Sequence, residues 1–114
     1  MTEAEGLLVV WTSGDREVAL NMIFTYSLNS RINGWWEKVT ILIWGPSGKL
    51  LVGDSEVQER VAEMIEHGVR FVACKGRADN YGISEQLEAL GVEVFYAGEF
   101  LTDWIRSDAQ VITF

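Results

Sequence analysis

Two runs in this chain, residues 7–11 (LLVVW) and 39–44 (VTILIW), are apolar at almost every position. A strand with one solvated face alternates apolar and polar residues, so near-continuous apolar runs read as strands buried on both faces. Three more β-rich runs follow at 69–73 (VRFVA), 92–96 (VEVFY) and 110–114 (QVITF), with helical stretches between them. That alternation is the pattern of a parallel sheet covered by helices on both faces. The expectation is an α/β fold with about five strands. The 114 residues suit one domain, 1–114, with no linker, low-complexity segment or internal repeat.

The helices have legible ends. Ser55 followed by Gln58 has the spacing of a capping box. Val57, Val61, Met64 and Ile65 then form one stripe, while Glu56, Glu59, Arg60, Glu63 and Glu66 cover the rest. Gly68 suits the left-handed position that stops such a helix. Ser84 and Gly91 bracket a shorter helix, and residues 75–81 read as a helical turn. The first helix, 15–31, is apolar on two sides: Val18, Met22, Ile23 and Tyr26 on one, and Leu20, Phe24 and Leu28 on the other. One side is expected on the sheet. The other is expected against a neighbouring subunit near Trp35 and Trp36, or against a C-terminal helix carrying Phe100, Leu101, Trp104 and Ile105.

Composition excludes several classes. A net charge of −8, with 9 basic residues against 17 acidic ones and no basic cluster, argues against binding nucleic acid or an anionic membrane. No apolar stretch approaches the ~20 residues of a membrane span. A single cysteine allows no intrachain disulfide, and MTEAEG is not a secretory leader, so the expected compartment is the cytoplasm. One histidine and one cysteine cannot assemble a transition-metal site of the common types, and no cofactor motif appears. There is also no Ser-His-Asp set and no dinucleotide fingerprint, which leaves the question of enzyme activity open.

In parallel sheets ligands bind beyond the carboxyl ends of the strands. Those ends are followed by Thr12-Ser13-Gly14-Asp15, Gly45-Pro46-Ser47-Gly48, Cys74-Lys75-Gly76-Arg77 and Ala97-Gly98-Glu99. Thr12 to Asp15 fits either an anion site at a helix start or a capping turn, without the lysine of a P-loop. Gly45 to Gly48, with Pro46, reads as a tight turn in a loop. Cys74 falls where the third strand gives way to a helical turn. A thiolate there is favoured by unpaired N–H groups, the helix dipole and the cations Lys75 and Arg77. The plainer reading is a small buried hydrophobe. Asn80 is placed to bend back toward the thiol, whereas His67 belongs at the opposite edge of the sheet as a helix-end residue.

Taken in order, Gly45-Pro46 with Lys49-Leu50-Leu51, then 68–74 (GVRFVAC), Gly82-Ile83, 91–94 (GVEV) and Ala97-Gly98 resemble the DsrE/DsrF-like proteins over nearly the whole chain. The resemblance implies a three-layer α/β/α fold with a mainly parallel sheet, assembled as trimers or hexamers. It also implies a cysteine, here Cys74, that carries sulfane sulfur as a persulfide in a relay with a donor or acceptor protein. In that role Lys75 and the N–H groups at Gly76 and Arg77 would stabilise the anion, and the loops Thr12 to Gly14 and Gly45 to Gly48 would shape the pocket. The competing expectation is a non-catalytic oligomeric binding or scaffold module with Cys74 buried.

Overall fold

A computed structural model describes residues 6–114. Its five strands are β1 (Gly6–Trp11), β2 (Lys38–Ile43), β3 (Arg70–Cys74), β4 (Glu93–Phe95) and β5 (Gln110–Thr113). They form one sheet in the order β4-β3-β2-β1-β5, and every neighbouring pair is parallel. The helix α1 runs continuously through residues 16–32. Helices α2 (Pro46–Gly53), α3 (Ser55–Glu66), α4 (Lys75–Tyr81), α5 (Ser84–Ala89) and α6 (Gly98–Arg106) follow.

Topology decides where the helices lie. Strands β1 to β4 step one way across the sheet, and β5 returns to the far side of β1. Right-handed crossovers therefore put α1 to α5 on one face and α6 alone on the other. The apolar clusters follow this division. Leu7, Val9, Trp11, Ile41, Ile43 and Phe71 point to the first face and join residues of α1 through α5. Leu8, Val10, Leu42, Val72 and Cys74 point to the second and meet Ala97 and the α6 side chains Phe100, Leu101 and Trp104. The result is the three-layer α/β/α architecture.

On the first face an aromatic series crosses the core. Trp11 meets Phe24 edge-on at 5.1 Å between centroids, and Phe24 meets Phe71 at 6.5 Å. Helix α1 contains a π-helical turn, Ala19–Ile23. The buried positions Ala19, Leu20, Ile23, Phe24, Ser27 and Ser30 make one stripe, so Leu20 and Phe24 point inward together with Ile23. The C-terminal helix does not cover the second side of α1. Met22 is exposed, Val18 and Tyr26 are half-buried, and α6 packs across the sheet from α1 rather than beside it.

Two helix starts differ from their sequence reading. Asp54, not Ser55, caps α3, its carboxylate accepting from Val57 N–H at 3.1 Å. Gln58 donates to the carbonyls of Leu51 and Val52, so no capping box forms. Asp54 is one residue further out and its acceptor is charged, which suits it to the helix N-terminus. Pro46 is not in a loop but begins α2, where its missing N–H costs nothing. Gly45 before it sits at φ 106°, a backbone conformation open to glycine. The glycine stop at Gly68 forms as expected, with φ 93°.

Candidate functional site

The strand registers align the carboxyl ends into a rim: Trp11 beside Ile43, Ile43 beside Ala73, and Cys74 beside Phe95. Cys74 is the last residue of β3 and the N-cap of α4, with extended backbone. An N-cap side chain can accept hydrogen bonds from the following N–H groups. This thiol makes no such bond. Strand alternation gives residue 74 the same face as Val72, and the side chain joins the apolar cluster under α6 with only 8% exposure. The helix start and the thiol thus meet as the sequence suggests, but the sulfur is lodged in hydrocarbon.

The neighbouring cations are differently occupied. Lys75 Nζ donates to Asp79 Oδ2 at 2.7 Å and lies 5.8 Å from the Tyr96 ring centroid. The bond to Asp79 raises the lysine pKa, and the same bond, aided by Ser84, holds the Asp79 carboxyl below its ordinary range. Lys75 is therefore engaged along its own helix. Arg77 has no ion pair among the described residues and lines a crevice with Cys74, Gly45, Gly48 and Tyr81. The free space inside is 10 Å³, room for about one water. Gly76 is half-buried in the first turn, with open space where a Cβ would stand. Asn80 is exposed on α4 and makes no hydrogen bond to the thiol.

The first loop is tied to Phe114. Thr12 donates to the Phe114 carbonyl through both N–H (2.8 Å) and Oγ1 (2.9 Å), and Ser13 N–H also reaches it. Ser13 Oγ accepts from Asp15 N–H, and Asp15 caps α1 by accepting from Glu17 and Val18. A Cβ on Gly14 would stand 3.2 Å from Pro46 Cβ, so the first two loops press together. Of the sequence candidates, Cys74, Arg77 and Gly45 share the crevice; Pro46 is exposed at the start of α2, and Thr12 and Ser13 face the β5 end.

Ser47, which sequence reading left inside a turn, is fully buried: its Oγ donates to the Trp11 carbonyl at 2.5 Å and its N–H to Thr12 at 3.1 Å. It ties α2 to the end of β1. Its place directly after Gly-Pro, at a helix start, is the signal that marks it. His67 caps the other end of α3, its Nδ1 2.9 Å from the Glu63 carbonyl, and precedes the amino end of β3, far along the strand from Cys74. Roomier hollows lie away from the thiol, one of them beside Gly6, Lys38, Asp103 and Trp104. No group of three metal-ligating side chains occurs among the described residues, and none of their helices is long and apolar enough to cross a membrane.

The model of the DsrE/DsrF-like family matches residues 18–114. A solved structure of a conserved protein of unknown function from Bacteroides thetaiotaomicron is 32% identical, with a TM-score of 0.96 over 100% of this chain and 98% of that one. No curated protein matches the chain.

Proposed function

The chain belongs to the DsrE/DsrF-like family, and from that premise we propose that it is a small sulfur carrier in which Cys74 holds a persulfide. The observation that carries the reading is the placement of the chain's one thiol on the carboxyl rim, at the junction of β3 and α4, beside the Arg77 crevice. The step itself needs little machinery. The Cys74 thiolate attacks the outer sulfur of a donor persulfide, and the donor's S–S bond breaks. The electron pair leaves with the donor's thiolate, and the transferred sulfur keeps its proton or sheds it to water. No net oxidation occurs and no histidine partner is required once the thiolate forms. Passing the sulfur on repeats the exchange on an acceptor thiol outside these 114 residues, because Cys74 is their one cysteine. Arg77 supplies positive charge toward the resulting anion, while Lys75 shares its charge with Asp79.

The test is incubation with a low-molecular-weight persulfide donor followed by intact-mass measurement. The wild type gains one sulfur atom that a reductant removes, and Cys74→Ala gains none. An unlabelled wild type, or an alanine variant that labels equally, overturns the reading.

The burial of Cys74 in the second apolar cluster favours a second reading, a non-catalytic binding or scaffold module with a structural cysteine. Alkylation rate against pH separates the two. A thiol that reacts at the rate set by global unfolding, with a pKa at or above that of free cysteine, marks the scaffold.

A further inference from the structure

The charge around the Cys74 crevice is opposite in sign to that of the chain. The protein carries −8 overall, and several of its cations are already neutralised by acidic partners. Arg16 meets Asp54 and Glu56, Arg70 meets Glu93, and Lys75 meets Asp79. Lys49 and Arg77 form no such pair among the described residues. Both are exposed, and both border Tyr81. Lys49, on α2, holds its Nζ 5.3 Å from the Tyr81 ring centroid. Arg77 stands one turn before Tyr81 on the same face of α4, and the two line the crevice together with Gly48 and Cys74. Close packing fixes α2 here, since a Cβ on Gly48 would stand 3.0 Å from Ile83 Cδ1. Two cations from different helices thus share the mouth of the crevice that the thiol residue lines.

Resting on the sulfur-carrier reading, we propose that Lys49 and Arg77 bind the anionic tail of the sulfur donor, a low-molecular-weight thiol persulfide bearing a carboxylate. An arginine guanidinium takes both oxygens of a carboxylate, and a lysine ammonium adds a point charge beside it. The crevice limits what enters. Its free space is 10 Å³, so the body of the donor stays at the mouth, where the two cations stand. Charge limits the size of the donor. Exposed Glu85 and Glu88 lie on α5, the helix that follows α4, so a broad acidic surface meets repulsion once it extends past the two cations. A small anion responds mainly to charges within about 8 Å, the screening length at physiological salt. In the transfer, the Cys74 thiolate bonds to the outer sulfur of the donor and the donor's S–S bond breaks. The electron pair of that bond departs with the donor thiolate, which keeps its carboxylate, and no net oxidation occurs.

The test compares two donors on the full chain by the initial rate at which intact mass shows sulfur on Cys74. Glutathione persulfide carries carboxylates, and the persulfide of N-acetylcysteamine carries none. A chain of charge −8 with no anion site takes sulfur more slowly from the carboxylate donor. The expected wild-type rates instead favour the carboxylate donor about tenfold, a preference that falls toward one in about 1 M salt. Lys49→Gln and Arg77→Gln each lower the ratio about threefold, and Lys49→Glu brings it below one. Lys38→Gln, at the amino end of β2, leaves it unchanged. A wild-type ratio at or below one, or a ratio that Lys38→Gln lowers as far as Lys49→Gln does, overturns the proposal. S-methylglutathione, which has no sulfur to give, is titrated in parallel while the amide resonances of residues 45–49 and 74–81 are followed. Shifts there that Lys49→Gln weakens are expected, and their absence in the wild type up to about 10 mM overturns the proposal. If neither donor labels Cys74 while S-methylglutathione still binds, the sulfur-carrier reading falls and the anion site stands.

Discussion

The two faces of the sheet are built from the same strands but closed in different ways. On the first face, α1 to α5 bury a continuous core in which Trp11, Phe24, Phe71 and Met64 are almost wholly excluded from water. On the second face α6 stands alone, and none of its nine residues is fully buried. Phe100 packs on Phe95 at 5.2 Å and toward Trp104 at 6.4 Å, with the Arg70 guanidinium 5.4 Å from the Phe100 centroid. The candidate thiol belongs to this thinner side. Buried packing is concentrated on one face, and the one thiol lies under the thinner cover. Local opening draws on elements with few buried contacts, and α6 is such an element.

Substitutions in matched positions break or sharpen this contrast. Phe24→Ala removes the middle of the aromatic series and is expected to cost about 3–5 kcal/mol in chemical denaturation. Trp104→Ala, on the half-buried α6, is expected to cost about 2 kcal/mol. It should also accelerate Cys74 alkylation, which Phe24→Ala does only as far as it promotes global unfolding. Equal effects of the two on stability would mean the faces are not distinct. Cys74→Ser places a hydroxyl in the second apolar cluster and should destabilise by about 1–2 kcal/mol, more than Cys74→Ala. A serine variant as stable as the alanine one would show that the thiol is already in contact with water.

The first face also holds buried hydroxyls, Ser27 and Ser30, and the Trp11 indole N–H, with no hydrogen-bond partner in the structure. Ser27→Ala, which replaces one of these on a helix, is expected to stabilise by up to about 1 kcal/mol. A loss instead would reveal a bound water or an alternative rotamer that satisfies it.

The smallest effects come from the exposed ion pairs. Hydrogen bonds from Arg16, Arg70 and Lys75 hold Asp54, Glu93 and Asp79 respectively below the ordinary carboxylate range. A folded-state pKa that is depressed adds stability above the unfolded value and loses it as pH falls through the folded one. Stability should therefore decline on the acid side, and Glu93→Gln should flatten that decline slightly. Solvent screens this pair, so added salt should shrink the difference between Glu93→Gln and the wild type.

How much was legible in the sequence varied with the range of the forces involved. The near-continuous apolar runs identified β1 and β2, and the amphipathic stripe Val57-Val61-Met64 identified α3, because periodicity is a local property of the chain. The placement of Cys74 at a strand end and helix start was equally local. The π turn in α1 was not legible, since nothing in the apolar spacing of residues 19–23 marks one. Nor was the choice of Asp54 over Ser55 as cap. Arg16, far away in the chain, bonds to both Asp54 and Glu56 and holds that carboxylate in place.

By itself the sequence determined a parallel α/β sheet, the family frame and the position of the one thiol at a strand end. Only the tertiary structure decided which way that thiol faces. Strand alternation and the lone return crossover to β5 put Cys74 under α6, and only the folded chain shows which hydrogen bonds the neighbouring loops make. Thr12 and Ser13 hold the Phe114 carbonyl, Ser47 holds Trp11, and Lys75 holds Asp79. A residue's type is written in the chain. Its partner is settled by which strand lies beside which, and that depends on contacts between residues tens of positions apart.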